Sequence, residues 1–150
     1  MLDIISKFFL AFSNTPVLLA IIISGLALRP KFFVTPIFLL LFTMIFSAVL
    51  KLVFAVPYSP ELVAKLGKDG FSFPSGHMQS SVVFYGWLLL HCKNKWLKIA
   101  LIFLLCGIAF GLIFEGYHNI FDVVGGLFFA AATIFAYQKL EFYFRKKIQK

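Results

Sequence analysis

Apolar residues in this chain come in long unbroken runs, not in the two-residue alternation of a half-buried strand. Proline, glycine and charge cut the runs into five candidate spans: residues 16–28, 32–56, 74–92, 96–115 and 118–141. A helix needs roughly 20 apolar residues to cross a bilayer. The first run falls short of that and is lengthened backwards through Ser13-Asn14-Thr15-Pro16. Residues 2–12 (LDIISKFFLAF) are too short to cross alone and either lie in the interface or extend the first span. The fold expected is all-α: a polytopic membrane helix bundle of about five transmembrane helices plus a short N-terminal interfacial helix. No repeat, low-complexity segment or linker interrupts it, so residues 1–150 read as one domain. The one substantial loop, 57–73, is flanked by Pro57, Pro60 and Pro74.

Composition supports the membrane reading. Hydrophobic residues make up 61% of the chain and charged ones 13%, against about 45–50% and about 25% in soluble domains. The opening, Met1 to Phe12, carries Asp3 and Lys7 without a small-residue cleavage site, so it does not read as a removable signal peptide. Cys92 and Cys106 lie in apolar segments and read as small hydrophobes of a packed interior, not as a disulfide framework.

Charge sets the expected orientation. Arg29 and Lys31 lie between spans one and two, and Lys93, Lys95 and Lys98 between spans three and four. Lys139, Arg145, Lys146, Lys147 and Lys150 lie at the end of span five and beyond it. All three clusters fall on one side of a five-span chain, and the positive-inside rule makes that side, with the C-terminus, cytoplasmic. The 57–73 loop and the turn at Tyr117 then face the periplasm or exterior, as expected of a bacterial inner-membrane protein. This placement accounts for the net charge of +8 without a nucleic-acid partner, because the interleaved aromatics belong to lipid-facing helices.

Ionisable groups inside a membrane protein usually mark a site, and here they converge on the non-cytoplasmic side. At 1.5 Å per residue, Lys51 lies about 28 Å along span two and about 9 Å below Pro57. His77 falls in the first turn of span three. Glu115, His118 and Asp122 gather at the junction of spans four and five, where His118 and Asp122, four apart, can share a helix face. His91, beside Cys92 on the cytoplasmic side, reads as interfacial. In Phe73-Pro74-Ser75-Gly76-His77, Ser72 is the expected N-cap and Pro74 suits a first helical turn. The N–H groups of Ser75 and Gly76 are then free donors at a positive helix end, an anion site, which Gly76 lets a ligand approach closely.

Pro74-Ser75-Gly76-His77, followed some forty residues later by His118-x-x-x-Asp122 and Val123-Val124-Gly125-Gly126, resembles the second and third signature blocks of the type 2 phosphatidic acid phosphatase superfamily. These are membrane lipid phosphatases related to bacterial acid phosphatases and vanadium haloperoxidases. The resemblance covers residues 51–126 and implies a six-span core shortened at its N-terminus. It implies that His118 attacks phosphorus and becomes phosphohistidine, and that Asp122 holds its tautomer. His77 would protonate the leaving oxygen and then activate water, Ser75 and Gly76 would bind phosphate oxygens, and Lys51 would supply positive charge. No metal or other cofactor is implied.

Two family features are absent. The first block's Arg-Pro is replaced by Tyr58-Ser59, with the proline displaced to Pro60. Gly111 and Leu112 stand where the third block opens with Ser-Arg. The chain's arginines, Arg29 and Arg145, both fall on the cytoplasmic side, which leaves Lys65 and Lys68 of the outer loop as replacement cations. Tyr58 reads as an aromatic-belt residue or a hydrogen-bond donor. Glu115 reads as an ion-pair partner of Lys51, a proton-relay group or a member of a His/Asp/Glu metal site. The expected function is hydrolysis of a lipid phosphate or diphosphate at the outer membrane boundary, on a prenyl diphosphate, phosphatidylglycerol phosphate, phosphatidate or lipid A. The alternatives are a catalytically weak relative that binds a lipid or a membrane partner, and proton- or metal-coupled transport through Glu115, His77 and His118.

Overall fold

Long apolar runs with few internal breakers have one stable solution in lipid, the helix, which satisfies its own backbone. The computed structural model describes residues 1–67 and 69–148. Among them it forms seven helices: α1 (Leu2–Ala11), α2 (Thr15–Leu28), α3 (Pro30–Phe54), α4 (Pro60–Leu66), α5 (Gly76–His91), α6 (Lys95–Phe114) and α7 (Ile120–Ile148). The described residues contain no strand, only an isolated bridge between Pro57 and Phe71.

The helices α3, α6 and α7 are long and apolar enough to cross a membrane, with mean hydropathies of 2.5, 2.6 and 1.8. The pair α1 and α2 qualifies as one span broken by a bend of 49°. At 16 residues, α5 falls short of that length although it runs through the centre of the bundle. By length and composition the structure therefore offers three to four spans where five are expected. Outward faces are apolar, with Phe38, Ile45, Phe103, Phe121 and Phe128 exposed, as a lipid-facing surface requires.

Helix α1 is not a free interfacial element. It runs antiparallel along α6: Ser6 and Leu10 close over Gly111, and the Phe9 ring covers Gly107. The break after it has its backbone satisfied, because the Tyr85 hydroxyl donates to the Phe12 carbonyl at 2.8 Å. The bend turns α2 away from α6, so that α2 packs mainly against α3.

The core lies between α5, α7, α3 and α6, around Phe84, Val83, Ile108, Leu112 and Ala130. Two threonines within it bond locally: Thr43 donates to the Leu39 carbonyl at 2.6 Å and Thr133 to that of Phe129 at 2.8 Å. Contacts of Phe32 with Trp87 and His91, and of Trp87 with Tyr137, hold the α2–α3, α5–α6 and α7 basic clusters at one end of the bundle. Cys92 and Cys106 are both free thiols. Cys106 faces outward, because Gly107 and Ile108 take the inward positions on α6.

Candidate active site

The second histidine sits between two helix-terminal motifs. Helix α6 ends at Glu115, and Gly116 takes the left-handed conformation (φ +69°) that favours glycine. The Tyr117 N–H then reaches back to Leu112 O and the Gly116 N–H to Ile113 O, each at 3.0 Å, a Schellman turn. The His118 N–H also donates to Leu112 O, at 3.1 Å. Asn119 caps α7: its side chain accepts the Asp122 N–H at 2.9 Å, while Asp122 Oδ2 accepts the Asn119 N–H at 3.1 Å. This reciprocal capping box uses aspartate in the place glutamate often fills.

The same Oδ2 meets His118 Nδ1 at 3.4 Å. The His-x-x-x-Asp spacing therefore does not place the pair on one helix face, as expected. His118 precedes the N-cap Asn119, because the helix starts at Ile120, two residues after the predicted boundary. Both side chains are nearly buried, at 6% and 3% exposure. Burial pushes the His118 imidazole well below its ordinary 6.5, although the Asp122 charge pulls it up; Lys51 adds to the lowering. The imidazole is thus neutral at physiological pH, and an Nδ1–H directed at Asp122 leaves Nε2 as the free lone pair.

The first histidine block is locked onto the start of α7. The Ser75 N–H donates to the Asp122 carbonyl at 2.9 Å. Gly125 and Gly126 make room for it: the Phe73 ring lies over Gly125, and a Cβ on Gly126 would come within 2.7 Å of Ser75 O. Ser75, not Ser72, is the N-cap of α5, its hydroxyl accepting the Met78 N–H at 3.3 Å. Ser72 instead closes the preceding loop, donating its N–H to Val56 O at 2.8 Å. Pro74 precedes the helix and does not open it, since α5 begins at Gly76. Ser75 is fully buried with its hydroxyl and N–H both used, and the donors left free at this helix start are the N–H groups of Gly76 and His77.

Lys51, His77, His118, Gly76, Tyr58, Tyr117 and Ser47 line one cavity of about 730 Å³. The ammonium of Lys51 donates to Phe71 O at 2.5 Å and sits 5.7 Å from the Tyr58 ring centroid. Tyr58 is thus a wall of the cavity, held by its N–H to Gly70 O at 3.0 Å, and not part of an outward aromatic belt. Leu62 and Leu66 of α4 form a roof. Away from the polar end the cavity continues as an apolar groove between α2 and α3, lined by residues such as Leu18, Ile22, Leu26, Ile37, Leu40 and Met44.

Glu115 does not pair with Lys51. Its Oε1 accepts the Ser6 hydroxyl at 2.6 Å and its Oε2 lies 3.8 Å from Lys65 Nζ. Lys65 also donates to Glu115 O at 2.6 Å and covers the Tyr117 ring at 4.2 Å, and it does not line the cavity. Among the described residues no three His, Cys, Asp or Glu side chains gather as a metal-ligand set. Lys68 lies outside the described residues. Arg29 ends α2, and Arg145 pairs with Glu141 at 2.6 Å, both far along the chain from the site. His91 Nδ1 pairs with Trp87 O at 2.9 Å, away from the cavity.

Sequence reasoning missed Asn119, although Asn-x-x-Asp before an apolar run is a legible capping signal. It also missed Ser6 and the Phe71 carbonyl, for which no local signal exists.

A membrane-type helix bundle that gathers two histidines and a lysine at one end of an apolar-walled cavity defines an integral membrane protein with a ligand-sized site. The chain belongs to the PAP2 superfamily, whose family model matches residues 32–146, a stretch containing Lys51, His77, His118 and Asp122. That membership supports phosphatase-type activity. No curated protein and no solved structure matches the chain. Helix α1 and all of α2 precede the matched stretch.

Proposed function

We propose that the protein is a membrane lipid phosphatase that hydrolyses a lipid phosphate or diphosphate through a phosphohistidine at His118. The observation that carries the reading is the continuity of the cavity. One space joins His77, His118 and Lys51 to an apolar groove. From Lys51 to Ile37 on α3 that groove runs about 21 Å at 1.5 Å per residue, enough for a long hydrocarbon tail. Its volume of about 730 Å³ falls in the usual range for ligand sites, roughly 300–1,000 Å³.

His118 Nε2 attacks phosphorus in line with the bond to the lipid oxygen. That bond breaks as protonated His77 gives its proton to the leaving oxygen. Neutral His77 then takes a proton from water, whose oxygen attacks the phosphohistidine and releases inorganic phosphate and free His118. Asp122 stabilises the imidazole as it gains positive charge, while Lys51 and the Gly76 and His77 N–H groups face the phosphoryl oxygens. The basic clusters at the opposite end of the bundle support a site on the periplasmic or outer side and a cytoplasmic C-terminus. A five-crossing path follows if α5 and the bent α1–α2 pair each span. Candidate substrates are prenyl diphosphates, phosphatidylglycerol phosphate, phosphatidate and lipid A.

The absence of arginine from the site favours a second reading, a weakly catalytic relative that binds a lipid or a membrane partner. One lost preorganised donor typically costs about 10²–10³ in rate, and lysine does not reproduce the guanidinium fork. A panel of lipid phosphates offered to wild type, His118→Ala and His77→Ala decides between the two. Phosphate release by wild type that both substitutions abolish supports the enzyme. Lipid binding without release across the panel supports the second reading.

A further inference from the structure

Glu115 is a carboxylate close to an anion site, yet it is turned away from the cavity. It joins two elements that otherwise do not pack on one another: α1, through Ser6, and α4, through Lys65. Among the described residues no helix packs extensively against α4, although its Leu62 and Leu66 roof the cavity. Beyond the buried Leu62 and the backbone bonds that close the loop's base, the roof is held by Lys65, which reaches the Glu115 carboxylate, the Glu115 carbonyl and the Tyr117 ring together. With only 12% of its side chain exposed, Glu115 is well shielded from solvent, whereas Lys65 is 43% exposed.

We propose that Glu115 is a positioning residue that latches the α4 roof onto the His118 turn through Lys65, so that the site closes over a bound phosphate. The inference rests on the phosphatase reading for its kinetic part alone. The His118–Asp122 pair is fixed independently, by the capping box and the Schellman turn. Loss of the latch therefore falls on substrate binding and not on the chemical step. It also accounts for a negative charge beside an anion site, since the carboxylate is neutralised by Lys65 and serves the wall of the cavity.

The test combines kinetics with amide hydrogen exchange across 60–66 in Glu115→Gln, Lys65→Met, the double variant and Lys65→Arg. The latch predicts that both single substitutions raise KM for a lipid phosphate about fivefold, the upper range for a partly exposed pair, with kcat nearly unchanged. The double variant is no worse than either single one, and α4 amides exchange faster in all three. Lys65→Arg, which keeps a cation able to reach Glu115 and stack on Tyr117, keeps those amides protected. If Lys65 served phosphate directly, Glu115→Gln would release it and lower KM while Lys65→Met raised it, and opposite signs overturn the latch. Unchanged exchange in Glu115→Gln also overturns it, and that readout holds even if no phosphate ester is turned over.

Discussion

Asp122→Asn separates the two tasks of one side chain. In the wild type a single oxygen, Oδ2, accepts the Asn119 N–H at 3.1 Å and faces His118 Nδ1 at 3.4 Å. A carboxamide oxygen in the same position keeps both contacts but loses the charge. The structural loss is then confined to the interaction of an anion with the α7 N-terminus, about 0.3–1 kcal/mol. The catalytic loss is larger. An imidazole that becomes positive as it bonds to phosphorus is no longer faced by a carboxylate, and orienting and acid–base effects of this kind are worth about 10²–10⁴ in rate. That corresponds to about 2.7–5.4 kcal/mol of barrier. The assay is kcat on a lipid phosphate in mixed micelles, paired with thermal unfolding of the same preparations. The expected result is a fall in kcat of at least about 10² with a small shift in melting. Activity within a few-fold of wild type in a normally folded Asp122→Asn would refute the orienting role. Asp122→Ala, which also leaves the Asn119 N–H unpaired, should lose a further ~1 kcal/mol of stability.

The lowered proton affinity of His118 predicts that the acid limb of the kcat/KM profile attributable to this group lies below pH 6.5, its ordinary value. The neutral nucleophile is lost only as pH falls through that depressed value, so a His118 imidazole found by NMR to titrate above 6.5 would contradict the buried geometry. Gly126→Ala places a Cβ 2.7 Å from Ser75 O and 3.1 Å from Met78 Cβ. Overpacking of this kind costs about 1–3 kcal/mol, and it also spreads the two histidine blocks. The substitution should therefore lower both melting temperature and activity, and wild-type melting in Gly126→Ala would show that α5 and α7 are not so tightly apposed. Ile22→Trp fills the groove between α2 and α3. Its expected signature is a higher KM for long-chain lipid phosphates with little change for a short-chain, water-soluble ester, and equal effects on both would argue against the groove as the tail site.

The class of fold was legible because apolar runs of span length leave few alternatives to a helix bundle, and α3 and α6 fall within two residues of their expected limits. The convergence of Lys51, His77 and His118 was legible for the same reason: alternating helix directions bring their ends to one level. Family membership was legible from the two histidine blocks. Three details were not. The α1 helix descends along α6 because Gly107 and Gly111 admit Phe9 and Leu10, a pairing with no local signature. The true N-caps, Ser75 and Asn119, differ from the expected boundaries because each satisfies a particular N–H of its own helix. Pairing with Lys51 at the same depth is one of the three expectations for Glu115, but depth alone does not give the azimuth, and the carboxylate faces Ser6 and Lys65 instead.

The central claim is that phosphorus passes through His118. Rapid quenching of the purified protein during turnover of a lipid carrying a radiolabelled phosphate tests it directly, with the label mapped to a peptide. Label that is stable to alkali, labile to acid and located on the peptide bearing His118, and that disappears in His118→Ala together with phosphate release, is the predicted result. Undiminished phosphate release by His118→Ala, or label carried on a different residue, would contradict the account.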